Sequence, residues 1–276
     1  LADAFGLPGL EILGLSYESD GRINGFIGQS TQFGAFLAFF FPATLAVFVS
    51  EFGFKKIAAG IGILATFACL LLTFSRGSYV GAIVGALFTS YFLRQYISIR
   101  NVTIATFIAI VACLVALPLL FVAGYGDLFM ERLSLVKGDA HILSQGRTTI
   151  WLRTLSVMME HPSTFITGYG WNAYDNFREF SLVTHNSYLN HLFNIGTIGL
   201  VLFLAVLFAV FRVLRRAVGT MSGTERSFVT STVFGFAALC VSMFFAEVFV
   251  AGVLIWAYIG LVLRTAIASE TEEAIA

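Results

Sequence analysis

Four side chains carry the chemistry legible in this sequence: Arg22, Arg76, Arg147 and His185. A guanidinium holds phosphate oxygens bidentately, and an imidazole can take a proton from a hydroxyl near neutral pH. Arg76 is the sharpest of the four. It sits in Phe74-Ser75-Arg76-Gly77 between two apolar runs, where a charge is costly unless it is paired or useful. It reads either as an anion clamp or as a residue snorkelling to headgroups or ion-paired with Glu247. Arg147, in Gln145-Gly146-Arg147-Thr148-Thr149, opens an amphipathic stretch and can serve an anion or pair with Glu131 or Asp139. Arg22, in Asp20-Gly21-Arg22-Ile23-Asn24-Gly25, reads as an anion contact or as a turn residue. His185, in Thr184-His185-Asn186-Ser187-Tyr188, is either a general base or a packed residue at a helix start that Asn186 or Ser187 caps.

Metal chemistry finds little support. His191 stands at i+6 from His185, off the same helix face, and His141 and His161 are distant in sequence. No HExxH, EF-hand, Walker or GxSxG pattern occurs, so neither a metal nor another cofactor is expected. The acids Asp127, Glu131, Asp139, Asp175, Glu179 and Glu247 could supply an acid/base pair, but no spacing singles out two of them.

The elements that must position these residues are membrane helices. The chain has 276 residues, 58% apolar and 12% charged, with a mean hydropathy of +0.88; average soluble chains are about 45–50% apolar and about 25% charged. This composition indicates an all-α polytopic membrane protein. Formal net charge is +0, so nothing draws nucleic acid. Cys69, Cys113 and Cys240 lie singly in apolar stretches and read as small buried side chains. Apolar runs lie at about 33–50, with Pro42 inside, 57–74, 79–93, 102–123 and 188–213. The last, 228–268, is too long for one crossing and divides near Glu247 at 246–251. That makes about seven transmembrane helices, on a rule of roughly 20 residues per crossing.

The expected organisation is an interfacial lead-in over 1–32, four helices over 33–123, a large loop over 124–187, three helices over 188–268 and a tail over 269–276. Lys55, Lys56, Arg94, Arg100, Arg212, Arg215, Arg216, Arg226 and Arg264 then fall on one side, which is read as the cytoplasm. The four candidate residues and Glu247 fall on the other. Within the loop, Arg147 to Glu160 has the pattern of a surface helix ended by His161-Pro162. Gly168 and Gly170 with the aromatics Tyr169, Trp171, Tyr174 and Phe177 read as a compact turn at headgroup level. The first residue is Leu1, not Met, and the opening segment is amphipathic without the basic n-region of a signal peptide, so the chain is expected to be the C-terminal part of a longer protein.

Arginines and a histidine gathered at one face of a lipid-embedded bundle suit a substrate that is anionic at the membrane and hydroxylated beyond it. A lipid pyrophosphate carrying a sugar fits: arginines stabilise the leaving charge and histidine activates the incoming hydroxyl.

The same residues resemble those of the O-antigen ligase and polymerase superfamily of bacterial envelope glycosyltransferases. The resemblance rests on Arg22-Ile23-Asn24-Gly25, Phe74-Ser75-Arg76-Gly77, Gly146-Arg147 followed by Trp151, and His161-Pro162. It continues through Gly168-Tyr169-Gly170 and His185-Asn186-Ser187-Tyr188-Leu189 to Gly196 and Gly199. The order of these motifs matches over roughly 20–268; Gln29-Ser30-Thr31 departs from the Asn-containing turn usual there. The resemblance implies a GT-C-like fold and inverting transfer of a glycan from undecaprenyl pyrophosphate, without metal or nucleotide. It implies that Arg76 and Arg147, with Arg22, hold the donor pyrophosphate and that His185 activates the acceptor hydroxyl. The implied location is the bacterial inner membrane, with the site facing the periplasm. Lipid A–core is the expected acceptor. A polymerase acting on another lipid-linked repeat, or a protein O-oligosaccharyltransferase, shares these motifs. A polysaccharide transporter is a more distant alternative, since transport favours charges within spans and broken helices at mid-membrane.

Overall fold

The computed structural model describes residues 22–92, 99–122, 124, 126, 130, 146–177, 184–248 and 250–275. The lead-in before residue 22, Arg94, His141, and the acids Asp127, Glu131, Asp139 and Glu179 lie outside these residues. Among the described residues the chain is helical, with no strand beyond an isolated bridge at Ile23. A one-turn 3-10 helix at Gly25–Ile27 precedes α1 (Ser30–Ser50), α2 (Gly53–Leu72), α3 (Arg76–Phe92) and α4 (Ile99–Val122). The loop region contributes α5 (Arg147–Glu160), α6 (Thr164–Thr167) and a 3-10 turn at Ala173–Asn176. Then follow α7 (Ser187–Thr220), α8 (Gly223–Ser242) and α9 (Val250–Ile275).

Among the described residues, three helices are long and apolar enough to cross a membrane: Ser30–Phe48, Gly53–Leu72 and Ser187–Thr220. Large apolar side chains also face outward, among them Ile57, Ile61 and Leu64 on α2, Phe107 and Leu114 on α4, and Val201, Leu202 and Phe208 on α7. Such continuous apolar surface is unfavourable against water and ordinary against lipid. The described residues are all-helical, and their apolar helices give the chain the character of a membrane protein.

The bundle is built on α8, whose Val229, Val233, Phe236, Ala238 and Leu239 are buried in a core shared with α1, α7 and α9. Its close neighbour is α3. Gly77, Gly81 and Gly85 recur at four-residue spacing and so line one face of α3. A Cβ on Gly85 would stand 2.6 Å from the Ala238 nitrogen, and one on Gly81 would stand 2.7 Å from the Ala238 carbonyl oxygen. Small residues at this spacing let two backbones approach, gaining dispersion contacts that lipid cannot supply. From the other side, Gly235 of α8 lies against the Phe39 carbonyl of α1.

The run expected as one crossing from Tyr188 to Val213 is interrupted. Gly196 has φ 66 and ψ −172, so α7 is two helical pieces meeting at a break. The carbonyls this exposes are not wasted. Phe193 O accepts from Tyr169 N at 2.9 Å, and Asn194 O accepts from Gly170 N at 2.9 Å. Thr197 Oγ1 donates to Phe165 O at 2.7 Å, and Asn194 Oδ1 accepts from Ala173 N at 3.1 Å. Backbone groups in an apolar setting must be satisfied, and here the loop satisfies them. A second core forms around this joint from Val157, Met158, Ala173, Tyr174 and Phe193. The loop residues 147–177 and the first piece of α7 therefore fold together.

Candidate functional site

Arg22 and Arg76 come to one place through the backbone. Ile23 N donates to Leu72 O at 3.1 Å, fixing the segment after Arg22 to the end of α2. The chain turns at once into α3: Thr73 Oγ1 donates to Leu70 O at 2.7 Å, and Ser75 O accepts from Ser78 N and Tyr79 N. Phe74 takes a left-handed conformation, φ 49, to make this turn. Arg76 is the first residue of α3.

Arg147 joins them. It is the first residue of α5, after Gly146 at φ 77. Burial lowers its pKa, and the positive charges of Arg22 and Arg76 lower it further. Three cations from separate parts of the chain therefore share one electrostatic environment. Guanidinium groups gathered in this way can receive a polyanionic group.

His185 lies on a turn anchored from two sides. Trp151, one turn along α5 from Arg147, donates from Nε1 to Thr184 O at 2.8 Å. Glu247, in the linker between α8 and α9, accepts from Thr184 Oγ1 at 2.7 Å. Asn186 then caps α7, its Oδ1 accepting from Tyr188 N at 3.0 Å and Leu189 N at 3.1 Å; such a cap contributes about 1 kcal/mol. Ser187 N donates to Met243 O at 2.8 Å, and Ser187 Oγ donates to Ala246 O at 2.9 Å. His185 itself is left-handed, φ 48, a conformation that costs a non-glycine residue about 1–3 kcal/mol.

The 243–248 linker also receives the Arg76 turn, because Gly77 packs directly on Phe245. The arginine cluster and the His185 turn are thus held by two shared supports, α5 and this linker. Burial raises the pKa of Glu247, opposed by hydrogen bonds from the Thr184 hydroxyl and from the backbone N–H groups of His185 and Thr184. Tyr174 is raised too, chiefly by burial; its hydroxyl donates to Thr154 Oγ1 at 3.2 Å.

The remaining histidines stand apart in role. His161 is exposed at the end of α5, and His191 lies against Phe203 with ring centroids 4.1 Å apart. Among the described residues, no three His, Cys, Asp or Glu side chains are grouped as a metal site would require. Trp151, Thr184 and Glu247 are the supports that reading the sequence does not assign. Glu247 left a signal as an acid inside a long apolar run, and Trp151 as the residue that follows Gly146-Arg147 in the motif order.

A family model described as O-antigen ligase matches residues 61–204. The matched region holds Arg76, Arg147 and the His185 turn, while Arg22 and Glu247 lie beyond it. No curated protein and no solved structure shows a significant match. The family match covers just over half of the 276 residues, with Arg76, Arg147 and His185 inside it: the chain belongs to the O-antigen ligase family.

Proposed function

We propose that this protein transfers a glycan from undecaprenyl pyrophosphate to an acceptor hydroxyl, lipid A–core in the first instance, at the periplasmic face of the inner membrane. One observation carries this reading. The segment after Arg22 is bonded to the end of α2, just before the turn that starts α3 at Arg76, and the helix that opens with Arg147 is bonded to the turn that bears His185. The distribution of basic residues in the short loops supports the orientation.

In this reaction the arginines bind the donor pyrophosphate. His185 accepts the proton of the acceptor hydroxyl as its oxygen attacks the anomeric carbon. The bond from that carbon to the phosphate oxygen breaks on the opposite face, and its electron pair leaves with undecaprenyl pyrophosphate. The product is an inverted glycosidic bond. The arginines neutralise charge that develops on the departing oxygen, which is where electrostatic stabilisation lowers a barrier most. No nucleotide enters.

Transfer by purified protein from a lipid-linked repeat to lipid A–core tests the activity. Failure to transfer with intact donor and acceptor would refute it. A deletion strain examined by lipopolysaccharide gel tests the acceptor. Loss of all O-antigen on the core, with lipid-linked polymer accumulating, is the ligase outcome. Retention of a single repeat on the core with long chains lost would instead identify a polymerase.

A further inference from the structure

We propose that Glu247 is a positioning residue for transfer: its carboxylate receives the Thr184 hydroxyl and thereby holds the turn that carries His185, and with it the imidazole, toward the acceptor. The inference rests on the reading of His185 as the base.

The geometry is specific. Thr184 is fully buried, and its Oγ1 donates to Glu247 Oε1 at 2.7 Å. That bond fixes the residue next to His185, whose left-handed φ of 48 is unfavourable unless its surroundings impose it. On the far side the Thr184 carbonyl is held by Trp151. On the near side Ser187 is bonded to Met243 and Ala246, in the same linker that carries Glu247. The turn is therefore clamped before and after His185. Glu247 is the one member of the clamp bearing a charge, and it sits partly buried between α8 and α9, where an acid is costly without a task. A purely structural acceptor there could be a neutral side chain. A carboxylate also places negative charge close to the turn, which favours the imidazolium formed when the base takes its proton.

The test uses full-length protein in membranes or detergent, with an undecaprenyl-pyrophosphate-linked repeat as donor and lipid A–core as acceptor. Glu247→Gln should lower the rate at saturating substrates by about 100-fold, the scale expected when a catalytic group is misplaced by about 1 Å. Its affinity for undecaprenyl pyrophosphate should stay at the wild-type value, which also shows that the variant is folded. Thr184→Ser, keeping the hydroxyl, should retain transfer, and Thr184→Val should lose it. In a His185→Asn background, Glu247→Gln should cause no further loss, because the two act as a unit. Wild-type transfer by Glu247→Gln while His185→Asn is inactive would overturn the inference alone, as would losses that multiply in the double variant. Wild-type transfer by His185→Asn would overturn the base reading together with it.

Discussion

The indole of Trp151 donates to the Thr184 carbonyl at 2.8 Å, so the helix that opens with Arg147 is fastened to the turn that carries His185. These residues lie 33 apart in the chain, and their bond ties the start of α5, where Arg147 stands, to the His185 turn. Removing the donor with Trp151→Phe keeps the ring and leaves a carbonyl unmet, a loss of about 1 kcal/mol. Transfer should slow, while membrane levels of the protein hold. Unchanged transfer rates for this variant in reconstituted membranes would show that the fastening is dispensable.

The arginine cluster should behave as a set. Hydrogen bonds to charged groups contribute about 1.5–3 kcal/mol each, so alanine at Arg76 or Arg147 should weaken undecaprenyl pyrophosphate binding by about 10- to 100-fold. Lysine should restore only part of this, because it lacks the planar fork. Isothermal titration with the lipid pyrophosphate measures it; affinity unaffected by both alanine variants would remove the cluster from the donor site.

His185→Asn is the cleaner probe of the base. Asparagine tolerates a left-handed backbone, so the φ of 48 is preserved while the basic nitrogen is lost. Transfer should fall by about 10²–10⁴-fold, the usual range for a general base, with donor binding intact. A single-turnover assay on lipid-linked glycan decides it.

Gly196→Ala should undock the loop. A Cβ there would collide with the Ile166 carbonyl, and the residue holds φ 66. The strain is about 1–3 kcal/mol before the clash is counted, and the bonds from Tyr169 and Gly170 to the broken helix would be at risk. Protease should then cut between 161 and 177 faster than in wild type. Equal cleavage rates would show that the break is not what seats the loop.

Gly81→Leu should separate α3 from α8, because Ser242 Oγ and the Ala238 carbonyl occupy the space the side chain needs. Overpacking of this kind costs typically about 1–3 kcal/mol. The midpoint of thermal unfolding in detergent should fall, and Arg76, at the end of the displaced helix, should lose its alignment. A melting temperature at the wild-type value would show that α8 has room to move.

Much of this protein was legible before any coordinates. Composition and apolar run length declare helices in lipid, because a bilayer accepts only backbones that satisfy themselves. The motif order around Arg76, Arg147 and His185 pointed to the family that the match over 61–204 then showed. The amphipathic pattern of 147–160 marks α5, and His161-Pro162 marks its end. Local signals of this kind depend on neighbours a few residues away, so they survive in the sequence.

What only the tertiary structure decided is which distant groups meet. Gly77, Gly81 and Gly85 stand openly in the sequence, but nothing there says that Ala238 and Ser242 are what they approach. A continuous apolar run from Tyr188 hid the break at Gly196, since hydropathy is blind to φ and ψ and the freed carbonyls are met by loop residues far upstream. Glu247 was visible as a misplaced acid, yet its partner could as well have been Arg76. The fold directs its carboxylate to Thr184. Long-range pairings are set by packing among helices, and helix faces of similar apolar character carry no address in their sequence alone.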